Sequence, residues 1–151
     1  MKVKEIMNKK IISVLPSDTL GKVAQVLVRN KISGAPVINK VGKLCGVISE
    51  KDLFSAMYPN FIDIVGDISA WFDNEKREYK LKAKAEIIIE SIMSNKVITT
   101  DPEESVLQAG GRMISNQIHR LIVVDKKKKV IGVISRTDIF RKILAHDLKI
   151  K

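Results

Sequence analysis

Gly46-Val47-Ile48-Ser49-Glu50-Lys51-Asp52-Leu53-Phe54 returns 86 residues later as Gly132-Val133-Ile134-Ser135-Arg136-Thr137-Asp138-Ile139-Phe140. A recurrence at a fixed period means one structural unit used twice, so it is read before anything local. Working outward, the register holds without a gap. Lys43 matches Lys129, Asn30-Lys31-Ile32 matches Asn116-Gln117-Ile118, Pro16 matches Pro102, and Ile6-Met7 matches Ile92-Met93. Chance does not hold one offset from residue 6 to residue 54, and the chain is read as a tandem duplication.

Each copy carries the same string of elements. In the first, Leu20, Val23, Ala24, Leu27 and Val28 recur at helical spacing and define one apolar face. Val106, Ala109, Met113 and Ile114 give the matching face in the second, and Ser105 with Gln108 forms a capping box at its start. Gly110-Gly111 inside that helix costs about 1 kcal/mol per glycine relative to Ala, and close packing against the other repeat is the expected reason for keeping them. Two apolar runs follow, Ala35–Ile38 and Leu44–Ile48, or Leu121–Val124 and Val130–Ile134. Polar turns join them, so each pair reads as a hairpin, and continuous apolarity predicts strands covered on both faces. A second helix opens after Ser49 or Ser135, with Leu53-Phe54 or Ile139-Phe140 expected on its buried side. Short extended pieces near Ile11-Ile12 and Val97-Ile98 precede the helices.

Residues 57–88 separate the first repeat (1–56) from the second (89–151) and are expected to be a partly helical connector. Asn60 can cap a helix bearing Phe61, Ile64, Val65, Ile68 and Phe72. Tyr79, Leu81, Ala83, Ala85 and Ile87 alternate, which suits a strand or an extended lead-in without excluding a helix. Trp71 and Phe72 are expected to dock the connector on the core or on a partner.

The pattern of Ile-Met, a Pro before the first helix, and a hairpin closing in Gly-hydrophobic-hydrophobic-Ser-x-x-Asp resembles the cystathionine-β-synthase (CBS) domain, twice over. The resemblance implies a mixed α/β fold of two β-α-β-β-α repeats packed as a pseudo-twofold pair, often called a Bateman module. It also implies clefts between the repeats that bind AMP, ADP, ATP or S-adenosylmethionine, with no cofactor required, and a regulatory role rather than catalysis. Asp52 and Asp138 would hold ribose hydroxyls, since an ionised carboxylate accepts the two hydrogen bonds of a vicinal diol. Ser49 and Ser135 open helices whose free N–H groups suit phosphate. The same Ser-x-x-Asp is also a capping box that needs no ligand. His119-Arg120 is similar to the phosphate-contacting His-Arg of the AMP-activated kinase γ subunit, and the Arg fork and the His donor suit that role. The first repeat has Ser33-Gly34 there, so Ile32, Ser33 and Gly34 would instead contact adenine through the backbone. By the same resemblance, one cleft would combine Ser135, Arg136 and Asp138 with Ile32–Gly34. The other would combine Ser49 and Asp52 with Ile118, His119 and Arg120, together with Thr99 or Thr100. Arg136 favours phosphate where Glu50 repels it, so the Asp138 cleft is expected to be the stronger anion site.

Bulk properties narrow the alternatives. The net charge is +10, but residues 6–54 carry +5, residues 92–140 carry +3 and the stretch between carries −2. Positive charge is thus spread over both halves, which weakens a nucleic-acid reading. Lys126–Lys129 reads as a solvated hairpin turn. No apolar run reaches transmembrane length, and a membrane role is not expected. Absence of a signal peptide and a single cysteine, Cys45, fit a cytoplasmic protein. Cys45 aligns with Ile131 in a strand and reads as core, as do Met7 and Met93. No metal-ligand spacing or nucleophile motif is present. The expected partners are an adenine nucleotide, a second copy of the chain, and a regulated protein that the sequence does not name. A ligand-free interaction module and a basic nucleic-acid-binding protein are the competing readings.

Overall fold

A computed structural model describes residues 1–58 and 72–149. The described chain has two compact units, one of Ser13–Lys96 and the other of Met1–Ile12 with Val97–Lys151. Their elements, in chain order, are α1 (Val3–Ile6), α2 (Leu20–Asn30), β1 (Gly34–Ile38), β2 (Leu44–Ser49) and α3 (Glu50–Met57). After these come α4 (Asn74–Ala85), a 3-10 turn (Ile89–Ser91), β3 (Thr99–Thr100), α5 (Val106–Ser115), β4 (Arg120–Val124), β5 (Val130–Ser135) and α6 (Arg136–Asp147).

The compact units cut across the sequence repeats because the two copies exchange their opening segments. Asn8 at the start of the first repeat bridges Val133 in β5, and Ser94 at the start of the second bridges Val47 in β2. Lys2 bridges Ser105 as Ile88 bridges Thr19. Each of these contacts has its partner at the same 86-residue offset. The exchange also buries equivalent side chains, since Val3 and Ile89 are both 0% exposed in the two cores. The repeat therefore begins three residues earlier than Ile6 and Ile92.

In the Ser13–Lys96 unit, Thr19 caps α2 by accepting from the Lys22 N–H at 3.2 Å. Leu20, Val23 and Leu27 turn inward against Val37, Ile48 and Leu53. β1 and β2 pair antiparallel from Gly34↔Ser49 onward. In the turn between them, Asn39 Oδ1 accepts from the N–H groups of Val41 and Lys43. Helix α4 lies beside α2 and α3: Lys84 Nζ donates to Ala56 O at 3.0 Å, and a Cβ on Gly21 would meet Ala85 Cβ at 3.2 Å. Tyr79–Ala85 is thus helical. The Tyr-x-Leu-x-Ala alternation is offset by Lys, Glu, Ala and Leu, strong helix formers with no β-branched residue among them.

The other unit repeats the plan with one more strand. Ser105 and Gln108 form a capping box on α5, which buries Val106, Ala109 and Met113. β3 runs parallel to β4, and β4 pairs antiparallel with β5 from Arg120↔Ser135. Val3 packs with Met113, Leu121, Ile134 and Ile139. Burying a side chain such as Leu121 contributes about 1.5–3 kcal/mol.

Several expectations need correction. Phe54 and Phe140 are exposed, while Leu53 and Ile139 are buried. Neighbours in a helix point about 100° apart, so one core cannot take both. Val28 and Ile114 are likewise exposed, which narrows both apolar faces to three buried positions. Continuous burial holds for β1 and β4, but β2 and β5 alternate. A Cβ added at Gly111 would have nothing within 4 Å, and one at Gly110 would face Ile139 of its own repeat at 3.8 Å, so neither glycine reflects packing on the other repeat. Phe72 is exposed and so does not dock on the core. Trp71, Asn60 and the apolar set Phe61 to Ile68 lie outside the described residues. Cys45, Met7 and Met93 are partly buried against the cores.

Candidate functional site

The last residue of each closing strand caps the helix that follows. In one unit, Asp138 Oδ2 accepts from the Ser135 N–H at 2.8 Å and from Ser135 Oγ at 2.6 Å, while Ser135 Oγ accepts from the Asp138 N–H at 3.2 Å. In the other, Asp52 Oδ2 accepts from the Ser49 N–H at 2.8 Å and Ser49 Oγ at 2.9 Å, and Ser49 Oγ accepts from the Asp52 N–H at 3.3 Å. Both Ser-x-x-Asp motifs are thus complete capping boxes. The two readings of the motif are compatible, because every one of these bonds to a carboxylate uses Oδ2. Among the described residues, Oδ1 of neither aspartate accepts a hydrogen bond. Both carboxylates are half-buried at the mouth of a helix.

Hairpin pairing brings the loop before each opening strand to the same place. The Arg136 N–H donates to His119 O at 2.9 Å, and the Glu50 N–H donates to Ser33 O at 3.0 Å. The Arg136 guanidinium contacts both ring nitrogens of His119, Nε2 at 3.0 Å. Arg only donates, so of the two ring nitrogens only the unprotonated one can accept from it. Arg120 is paired in register with Ser135, as Gly34 is with Ser49. One helix mouth therefore gathers Asp138, His119, Arg120 and Arg136. The equivalent mouth gathers Asp52, Ser33, Gly34 and Glu50. The first mouth sets His119, Arg120 and Arg136 where the second has the uncharged Ser33 and Gly34 and the anionic Glu50.

Ile32 and Ile118 are set differently. Their N–H groups close the preceding helices on Leu27 O and Met113 O, each at 3.0 Å, and both side chains pack against the cores. The residues before them, Lys31 and Gln117, take φ of 52° and 53°, the left-handed turn that ends a helix. Thr99 and Thr100 stand apart from His119 and Arg120. They lie opposite Ile122 and Val123, further along β4. Thr100 is buried with its hydroxyl on Glu104, and Thr99 O accepts from Arg112 Nη1 at 2.8 Å. Glu104 and Arg112 were missed in the sequence. Comparing the repeats position by position exposes Arg112, which stands where the first copy has Val26.

The described residues contain no group of three or more His, Cys, Asp or Glu side chains placed to hold a metal ion. No described helix is long and apolar enough to cross a membrane.

The CBS-domain family model matches residues 3–59 and 89–145, and the chain belongs to the CBS-domain family. An uncharacterised protein of Methanocaldococcus jannaschii is 32% identical over 155 residues, covering 95% of this chain and 92% of that one. Three other curated relatives match over more than nine-tenths of this chain, which spans less than half of their length, so their activities remain their own. Among solved structures, the CBS domain pair of protein MJ0100 in complex with 5′-methylthioadenosine and S-adenosyl-L-methionine matches with a TM-score of 0.73 and 25% identity, covering 95% of each chain. CBSX2 in complex with AMP matches with a TM-score of 0.72 and 24% identity over 99% of this chain and 98% of that one, a likeness of fold.

Proposed function

We propose that the chain is a ligand-sensing regulatory module. It binds an adenosine-containing ligand, AMP, ADP, ATP or S-adenosylmethionine, and acts on a partner protein rather than catalysing a reaction. The observation that carries this reading is the split use of the two aspartates. Oδ2 holds the helix cap, and Oδ1 keeps its acceptor capacity for a ribose diol. The similar MJ0100 domain pair, solved with two adenosine-based ligands, supports the ligand class. His119, Arg120 and Arg136 beside Asp138 favour an anionic ligand at that mouth, and Glu50 beside Asp52 disfavours one. Self-association and the cytoplasm are part of the same proposal.

Isothermal titration with each of the four ligands tests it. Asp138→Asn keeps an oxygen for the cap and removes the charged acceptor. It should weaken nucleotide binding about tenfold, the loss expected for one charge-assisted contact. Asp52→Asn should weaken it less. Equal losses refute the inequality of the two mouths. No binding of any of the four ligands by the unmodified protein favours a ligand-free interaction module.

A further inference from the structure

We propose a second ligand site in the Met1–Ile12/Val97–Lys151 unit, separate from Asp138: a pocket for a small phosphate-bearing metabolite, held by Arg112, Lys126 and Lys128. The pocket has a volume of about 260 Å³. Thr99, Thr100, Glu104 and Arg112 form one side, and the turn after β4 forms the other with Lys126 and Lys128. β4 starts at Arg120, which pairs with Ser135, and ends at Val124, which pairs with Val130. At about 3.3 Å per residue, the two ends of this strand are about 13 Å apart. The pocket and the Asp138 mouth thus sit at opposite ends of one sheet.

The lining also carries Asp101 and Asp125, and each of its three carboxylates is engaged through at least one oxygen, whereas its two lysines are not. Glu104 takes the Thr100 hydroxyl and Arg112 Nη2, the latter at 2.7 Å. Asp125 Oδ1 takes the N–H groups of Lys127 and Lys129 at 2.8 and 2.9 Å, which builds the turn. Asp101 Oδ1 takes the Glu103 N–H at 2.7 Å. The Lys126 and Lys128 side chains have no hydrogen bond or ion pair among the described residues. Arg112 is anchored by Thr99 O and Glu104, so its partly exposed guanidinium is held in place. A fixed Arg fork flanked by two lysines matches the oxygens of a phosphate.

The duplication supplies an internal control. The first repeat folds the same hairpin with Val14, Val26 and Gly42 where the second has Thr100, Arg112 and Lys128. None of those polar groups is therefore needed to form the hairpin. Lys128 adopts φ 64° where Gly42 adopts φ 86°, a left-handed conformation that glycine takes without strain and lysine does not. A strained lysine at a pocket, where the sister repeat keeps glycine, points to use of its charge. The small volume fits a metabolite rather than a duplex.

Isothermal titration with inorganic pyrophosphate at physiological salt tests the site, together with amide chemical-shift mapping. One equivalent should bind, with shifts concentrated at Thr100, Arg112 and Lys128. Lys126→Ala/Lys128→Gly, which relieves the turn, should weaken binding about tenfold or more. Lys127→Ala/Lys129→Ala removes the same charge from residues that do not line the pocket, and should change affinity less than about twofold. Equal losses in the two double variants overturn the proposal in favour of diffuse attraction to the lysine turn. So does no binding, or shifts confined to His119, Arg136 and Asp138. A single-stranded oligonucleotide that displaces pyrophosphate with a steep salt dependence overturns it in favour of a nucleic-acid surface.

Discussion

The exchanged segments lie against two glycines, and substituting these measures how tightly the exchange is packed. Neither Gly46 nor Gly132 has a positive φ, so an added Cβ meets only its neighbours. At Gly46 it would lie 2.6 Å from Ser94 O and 3.0 Å from Met93 Sδ. At Gly132 it would lie 2.7 Å from Met7 Sδ and 3.2 Å from Asn8 O. The two obstacles differ in kind. Ser94 O is backbone and accepts from the Val47 N–H, while the Ser94 N–H donates to Val47 O, both at 3.0 Å. Moving it strains or breaks both bonds, at about 1 kcal/mol each, on top of about 1–3 kcal/mol for overpacking. Met7 is an unbranched side chain that can swing aside. Gly46→Ala should therefore cost about 3–5 kcal/mol and Gly132→Ala about 1 kcal/mol. Urea unfolding followed by far-UV circular dichroism reads both through the midpoint at constant slope. A double-mutant cycle adds the decisive comparison: Met7→Ala should recover part of the Gly132→Ala loss, whereas Met93→Ala should leave most of the Gly46→Ala loss in place. Equal costs for the two glycine variants, or full rescue of Gly46→Ala by Met93→Ala, would refute the packing argument.

Other outcomes follow from single positions. Gly111→Ala should stabilise by about 1 kcal/mol, raising the melting temperature by about 2–4 °C in calorimetry, since its Cβ would enter open space in a helix interior. Lys128→Gly should raise stability by about 1 kcal/mol by removing left-handed strain, measurable by the same calorimetry. The hydrogen bonds from Lys2 and then Lys4, each 2.6 Å, hold the Glu103 carboxyl down to about 2 from an ordinary 4.5. Its folded value is depressed, so its contribution is present above about 4.5 and disappears as the pH falls toward 2. Docking of the first residues should loosen over that window and in high salt. The amide shift of Val3, whose N–H donates to Glu104 O, reports it, and a flat profile in both wild type and Glu103→Gln would contradict the assignment.

The duplicated stretch from Gly46 to Phe54 and from Gly132 to Phe140 was enough to read the fold. Apolar period, capping residues and turn residues are local signals, and they placed α2, α5, both hairpins and the Ser-x-x-Asp helix starts. The candidate site was legible to the same extent, because its aspartates and serines belong to that local motif. Sequence alone could not say that each repeat's opening segment packs on the other copy. Ile6-Met7 and Ile92-Met93 look the same whichever hairpin they cover, and only long-range packing selects one. Nor could it show that His119 meets Arg136, or that Thr99 and Thr100 join Glu104 and Arg112 at the other end of the sheet. Those groupings depend on strand register and on which way each side chain turns. The sequence by itself determined that one α/β unit was used twice with unequal polar groups. The tertiary structure decided which of those groups stand together, because residues distant in the chain are brought together only by pairing and packing.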